Sequence, residues 1–424
     1  MPERHSDPTD ALLEHVRTYS APSRLRITDL RIAKVGNWPL IRLDTNQGLC
    51  GWGEVRDGAS PTYALFLKSR LLGENPCNVE KLFRKIKQFG HHGRQGGGVS
   101  GIEMALLDLA GKAYGVPAYQ FLGGKYRDRI RIYCDTDATP DPTLMGQRLK
   151  ARMEQGFTFL KMDVGIGLCR GIPGTVAAPS GMLETFNVMH PFTGIRLTDR
   201  GIGVLRDYVA TVREIIGYEI PLAVDHFGHL GLESCIRLAQ ALDPFGLAWL
   251  EDMLPWQFPD QLARLSRSCQ TPICTGEDIY GKEGFQRLFE AGAIGVCHPD
   301  LATAGGLMET KKIGDLAQEY GVSMALHMAG SPVCALANVH CAAATENFLA
   351  LENHSLDVPW WDDLITGLPK PLIQNGYIAV PEAPGLGLDL DLEAVREHLD
   401  PHGPGLFEPT PEWDHERSHD RLWS

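Results

Sequence analysis

The sequence predicts an α/β protein, a (β/α)₈ barrel preceded by a smaller α+β unit. From Arg131 onward, eight short β-rich apolar runs alternate with helical stretches over about 220 residues. Ahead of them the chain shows strands first and a helix after, the pattern of an α+β unit. The length of 424 residues exceeds one ordinary core and favours two or three domains. A doubly wound open sheet is the competing arrangement, but it does not require eight units.

Residues 1–25 lack the basic-then-apolar order of a signal peptide and read as a tail. The α+β unit, residues 26–134, opens on Leu25-Arg26-Ile27 and Leu40-Ile41-Arg42-Leu43, closing on Gly51-Trp52-Gly53. Ser100-Gly101-Ile102-Glu103 has the form of a capping box, and Met104, Leu106, Leu107 and Ala110 follow at helical spacing. Gly123-Gly124 ends that segment. The barrel, residues 135–370 with its first strand at Ile132-Tyr133-Cys134, continues through Phe159–Val164, Pro221–His226, Leu247–Asp252 and Pro272–Glu277. Gly295–Asp300, Val322–His327 and Phe348–Asn353 complete the set, with helices such as Gly203–Ile216 and Leu232–Leu242 between strands. One connection, Gly165–Arg200, carries about 35 extra residues, a length that on a barrel is usually functional. Residues 371–424 leave the repeat. They hold one more strand-like run, Tyr377-Ile378-Ala379-Val380, and an end expected to be mobile.

Composition narrows the function. The chain is 43% apolar and 22% charged, as globular proteins are. Its 40 basic against 53 acidic residues leave a net charge of -13, which argues against a nucleic-acid surface. No apolar run reaches membrane-spanning length. Ten scattered cysteines without a C-x-x-C pair read as buried thiols of a reducing compartment. A cytoplasmic protein is expected.

Ionisable residues end six of the strand candidates: Lys161 and Asp163, Asp225, Glu251, Glu277, Asp300 and His327. Strand C-termini converge on one mouth of a barrel. Asp225, Glu251 and Glu277 are equally spaced, so three successive units each offer a carboxylate, a hard-oxygen set suited to Mg²⁺ rather than zinc. One such carboxylate alone is more often a helix cap. Three in register beside Ala223, Val224, Trp249 and Leu250 would be costly without a cation.

This strand-end pattern resembles that of the enolase superfamily, mandelate racemase/muconate lactonizing enzyme subgroup. Residues 100–115, Phe121-Leu122-Gly123-Gly124 and Pro384-Gly385-Leu386-Gly387 are similar to that family's N- and C-terminal signatures. The resemblance implies a modified (β/α)₈ TIM barrel under an α+β capping domain that residues 371–424 complete, and a homo-oligomer. It also implies a Lys or His base working with Mg²⁺ on the carbon next to a carboxylate. His327 is then the base, with Asp300 orienting its ring. Lys161 would meet the substrate carboxylate. The family's racemases carry Lys-x-Lys, whereas Asp163 stands at the second position here, which disfavours a two-base racemisation and leaves elimination.

The resemblance therefore implies a dehydratase of a sugar acid. Glu352 would hydrogen-bond the developing enediolate, with a raised pKa. His226 and His229 are candidate general acids, although the relatives' Asp-x-His spacing becomes Asp-His-x-x-His here, and His327 could serve both roles. Racemisation, epimerisation, cycloisomerisation or a non-catalytic binding barrel are the alternatives. Gly96-Gly97-Gly98 reads as a mobile flap, since no phosphate-loop pattern accompanies it. Trp360-Trp361 read as exposed aromatics for a sugar or a subunit contact. No nucleophile-elbow, H-E-x-x-H or dinucleotide motif is present.

Overall fold

The computed structural model describes residues 24–91, 93–178, 194–225 and 230–416. The first unit is an antiparallel meander of β1 (Ile27–Val35), β2 (Trp38–Thr45) and β3 (Cys50–Glu54). Against it lies the helix Gly96–Tyr114, buried from Gly96 to Gly111 on every side. All-round burial marks a helix shared between two layers rather than an amphipathic surface helix. Strand and helix approach so closely that a Cβ on Gly53 would meet the Gly101 carbonyl oxygen at 2.0 Å. Gly96-Gly97-Gly98 is the first turn of this packed helix and not a flap, because its small residues admit neighbouring backbone: a Cβ on Gly98 would meet the Tyr63 carbonyl oxygen at 2.0 Å.

The helix starts four residues before the expected capping box, so Ser100 and Glu103 are interior positions. Ser100 Oγ donates to the Gly96 carbonyl and accepts from Gly305 N–H. Glu103 accepts from Leu307 N–H at 2.6 Å and Met308 N–H at 3.0 Å, closing the N-terminus of the barrel helix Leu307–Glu319. Glu54, at the end of β3, does the same for Pro332–Ala344 by accepting from Ser331. Two buried glutamates of the first unit thus satisfy orphan N–H groups at helix starts of the barrel, fastening one to the other.

Eight parallel strands follow. They are β4 (Arg129–Cys134), β5 (Leu160–Asp163), β8 (Leu222–Asp225), β9 (Leu250–Glu251), β10 (Ile273–Thr275), β11 (Val296–Cys297), β12 (Ser323–Leu326) and β13 (Phe348–Asn353). A small hairpin of β6 (Val176–Ala177) and β7 (Arg196–Leu197) sits in the long connection after β5, of which residues 179–193 lie outside the described residues. The hydrogen-bonded order runs β4-β13-β12-β11-β10-β9-β8-β5, so the sheet curls through all eight units in sequence. Every expected strand is present. Because β4 pairs within this sheet, the barrel begins at Arg129 rather than after Cys134.

One layer inside the barrel takes a side chain from each unit: Tyr133, Phe159, Ala223, Trp249, Cys274, Val296, Ala325 and Ala350. Three aromatic rings pack against one another on one side, Phe159 and Trp249 at 4.9 Å, and small residues fill the other. This complementarity of size plugs the interior and leaves the chemistry to the strand ends above it.

The C-terminal part divides. β15 (Tyr377–Ala379) adds antiparallel to β4, while β14 (Ile365–Thr366) pairs with β16 (Asp389–Leu390). Farther on, Asp414 lies 2.6 Å from the buried Lys68 ammonium, which also holds Asp29. Trp361 is buried and Trp360 stacks on His398 at 4.0 Å, so this pair is internal packing and not an exposed platform. All ten cysteines are free thiols. No helix among the described residues is long and apolar enough to cross a membrane. The last eight residues, part of the end expected to be mobile, lie outside the described residues.

His340, on Pro332–Ala344, stacks on Tyr119 at 5.7 Å and is fully buried. Burial pushes its pKa down from 6.5 to about 4. A depressed histidine contributes stability that is present above pH 6.5 and lost as pH falls toward 4, because the unfolded chain then binds the extra proton. That loss is expected to approach about 3 kcal/mol. Urea unfolding at stepped pH should show the acid limb, and His340→Phe should flatten it. An unchanged slope in the variant would refute the assignment.

Candidate active site

Lys161 and Asp163 are two apart on β5 and face the same side. Lys161 is buried and Asp163 sits at the half-buried lip, in register with Asp225 on β8. The Lys161 ammonium lies 2.7 Å from Asp225 Oδ2, 2.8 Å from Glu352 Oε1 and 3.2 Å from Glu251 Oε2. Burial works to strip its proton, but these three carboxylates outweigh burial and hold its pKa well above the usual range. The lysine expected to receive a substrate carboxylate is thus engaged by three of the protein's own.

Glu352 departs from expectation. Burial opposes its charge, yet Lys161 first and His354 second hold its pKa well below the ordinary value, not above it. It is an ionised acceptor among donors, because Tyr133 also donates to its Oε2 at 3.2 Å. The Tyr133 hydroxyl lies 2.8 Å from His298 Nε2, and His298 Nδ1 lies 2.6 Å from Glu251 Oε1. Trp249 Nε1–H donates to the other Glu251 oxygen at 2.8 Å. A chain of close polar contacts beneath the mouth therefore surrounds the Glu251 and Glu352 carboxylates.

Asp225, Glu251 and Asp252 each bring a carboxylate oxygen within 4.8 Å of the others. Asp252 takes a left-handed backbone, φ 49°, immediately after Glu251, a conformation non-glycine residues adopt at a cost. Its burial, with Glu277, Asp225 and Glu251 pressing on it, raises its pKa well above the usual range. Carboxylates crowded enough to lift one another's pKa, all with hard oxygen donors, fit a divalent cation such as Mg²⁺. Glu277, expected as the third ligand, adds its charge to this cluster, pressing on Asp252, and also lies 3.4 Å from His327 Nε2 and 3.3 Å from the Arg56 guanidinium.

His327, just past β12, is buried with Nδ1 2.6 Å from Asp300 Oδ2. Burial disfavours its charge, but Glu277 and the Asp300 bond prevail and raise its pKa to about 10. Positive charge that neutralised Glu277 would lower that value and free the imidazole to accept a proton. Arg56, arriving from the loop after β3, lies 3.2 Å from Asp300 Oδ2 and donates to Thr303 Oγ1 at 2.7 Å and the Glu277 carbonyl at 3.0 Å. It bolts the dyad to the first unit. At the opposite side of the mouth, His354 lies between Glu352 Oε1 at 3.1 Å and Asp135 Oδ2 at 3.4 Å.

Of the residues expected from sequence, Lys161, Asp225, Glu251, Glu277, Asp300, His327 and Glu352 meet at one mouth, with Asp163 at its edge. His226 and His229 lie outside the described residues. Sequence reasoning missed Arg56, Tyr133, Asp135, Asp252, His298 and His354. One had a usable signal: His354 follows Glu352 by two residues, and the two side chains meet at 3.1 Å.

Two family models match the chain. One, described as enolase C-terminal domain-like, covers residues 144–395; the other, the mandelate racemase / muconate lactonizing enzyme N-terminal domain, covers residues 9–123. A D-xylonate dehydratase of Haloferax volcanii is 37% identical over 88% of this chain and 89% of its own length. A D-galactonate dehydratase of Ralstonia nicotianae is 28% identical over 88% of this chain and 93% of its own. Among solved structures, a mandelate racemase/muconate lactonizing enzyme-like protein from Rubrobacter xylanophilus superposes with a TM-score of 0.79 at 34% identity, covering 90% of this chain and 99% of that one.

Proposed function

This chain belongs to the mandelate racemase/muconate lactonizing enzyme family of the enolase superfamily, and from that premise we propose that it dehydrates a sugar acid to a 2-keto-3-deoxy acid with Mg²⁺. It is an enzyme of the hydro-lyase class, as its named relatives are. The observation that carries the reading is the 2.6 Å His327–Asp300 pair facing a cluster of buried carboxylates at one barrel mouth. Residues 26–128 and 380–416 act as the cap over this mouth, and the enzyme works in the cytoplasm.

Asp225 and Glu251, with Glu277 and Asp252 beside them, would hold the Mg²⁺. Bound there, a divalent cation supplies the positive charge that stabilises a substrate carboxylate as its α-proton leaves. Lys161, held by Asp225, Glu251 and Glu352, would meet the same carboxylate once the cation shares the charge of those groups. His327 takes the α-proton at Nε2 while Asp300, bonded to Nδ1, holds the ring and stabilises the imidazolium. Arg56 keeps Asp300 ionised and in place. The β-hydroxyl then departs as water, and the enol tautomerises.

The test is a panel of five- and six-carbon aldonic acids with Mg²⁺. At least one should yield a keto acid, chelation with EDTA should stop the reaction, and added Mg²⁺ should restore it. Exchange of the α-proton with deuterated solvent without loss of water would instead support racemisation or epimerisation. Mg²⁺ binding with no turnover of any acid would leave a binding barrel.

A further inference from the structure

We propose that His354, oriented by Asp135, is the acid that protonates the departing β-hydroxyl. This rests on the dehydratase reading and completes it, since an elimination needs one group to take the α-proton and another to give a proton to the leaving oxygen. The geometry resembles the first dyad in a looser form. His327, just past β12, is bonded to Asp300 through Nδ1 at 2.6 Å, and His354, on the loop leaving β13, faces Asp135 through Nδ1 at 3.4 Å with its Nε2 3.1 Å from Glu352 Oε1. The two imidazole rings stand 5.2 Å apart, centre to centre. That separation lets two nitrogens address adjacent carbons of one substrate.

Exposure separates their roles. The side chains of Lys161, His327 and Glu352 are 1%, 5% and 0% exposed, whereas that of His354 is 31% exposed. His354 can therefore exchange protons with water after each turnover, as a donor must. The groups facing it are Glu352, Asp135 and His327. Burial and His327 work against its charge, but the two carboxylates prevail and raise its pKa, which favours the protonated ring.

The step balances. His327 accepts the α-proton, and the C–H electron pair becomes the new carbon–carbon π bond. The β-C–O bond breaks with its electrons on oxygen, which takes from His354 the Nε2 proton that the ring otherwise shares with Glu352, and leaves as water. Neutral His354 regains a proton from solvent, and His327 returns the one it holds to the former β-carbon while the enol O–H gives its proton up to solvent, leaving the ketone.

The experiment compares two leaving groups. An aldonic acid that the enzyme turns over and its 3-deoxy-3-fluoro analogue are given to the wild type, His354→Asn and Asp135→Asn, because fluoride departs without a proton. His354→Asn should lose at least roughly 10²-fold in dehydration while releasing fluoride near the wild-type rate and still exchanging the α-proton with deuterated solvent. Asp135→Asn, a positioning residue, should show the same selectivity with a smaller loss, roughly tenfold. Equal loss on both substrates, or no loss on either, overturns the proposal. So does the fluoride-rescued pattern in His226→Asn or His229→Asn with His354→Asn unaffected. A wild type that exchanges the α-proton but expels neither water nor fluoride overturns the dehydratase reading, and this proposal with it.

Discussion

Lys161→Met is expected to cost about 3–5 kcal/mol of stability at neutral pH and to remove activity. Methionine fills the space of the stem but leaves Asp225, Glu251 and Glu352, all buried and within 3.2 Å of the lost ammonium, with like charges and no counter-charge. Protonation of one or more is the cheapest relief, so their folded-state pKa values rise in the variant above the unfolded ones. Stability is then greatest at acid pH and is lost as pH rises through the shifted values. Two readouts check this. Thermal unfolding should show a variant whose deficit shrinks on acidification, and millimolar Mg²⁺ should raise its melting temperature more than that of the wild type, because a cation replaces the missing charge. A variant as stable as wild type at neutral pH would show that the carboxylates do not depend on the lysine.

His327→Asn should lower kcat by roughly 10²- to 10⁴-fold with the fold intact. The asparagine amide can still donate to Asp300, so the ion pair between Arg56 and Asp300 keeps its surroundings. What it cannot do is accept a proton. Exchange of the α-proton with deuterated solvent, followed by NMR, should vanish together with product, in contrast to His354→Asn, where exchange persists. Retained exchange in His327→Asn would move the base to another residue.

The barrel was legible because its signals are local. Each strand is a short apolar run buried on both faces, interrupted by a polar residue where the mouth begins, and Asp225, Glu251 and Glu277 fall at equivalent points of successive units. The same periodicity misled where a local motif had a non-local use. Ser100 and Glu103 look like the start of their own helix, yet they serve Gly305, Leu307 and Met308 some 200 residues away. Trp360 and Trp361 look exposed until His398 and Trp38 close over the first and the Gly330 carbonyl accepts from the second.

What the sequence determined alone is the order of strands, the count of units and the residue types delivered to the rim, since a two-residue alternation and a run length depend only on neighbours in the chain. Only the tertiary structure decided which of those groups face one another. Arg56 against Asp300, His298 against Glu251 and His354 against Asp135 join segments far apart in sequence. Such meetings depend on how the sheet curls and where the first unit rests on it, geometry that no local pattern encodes.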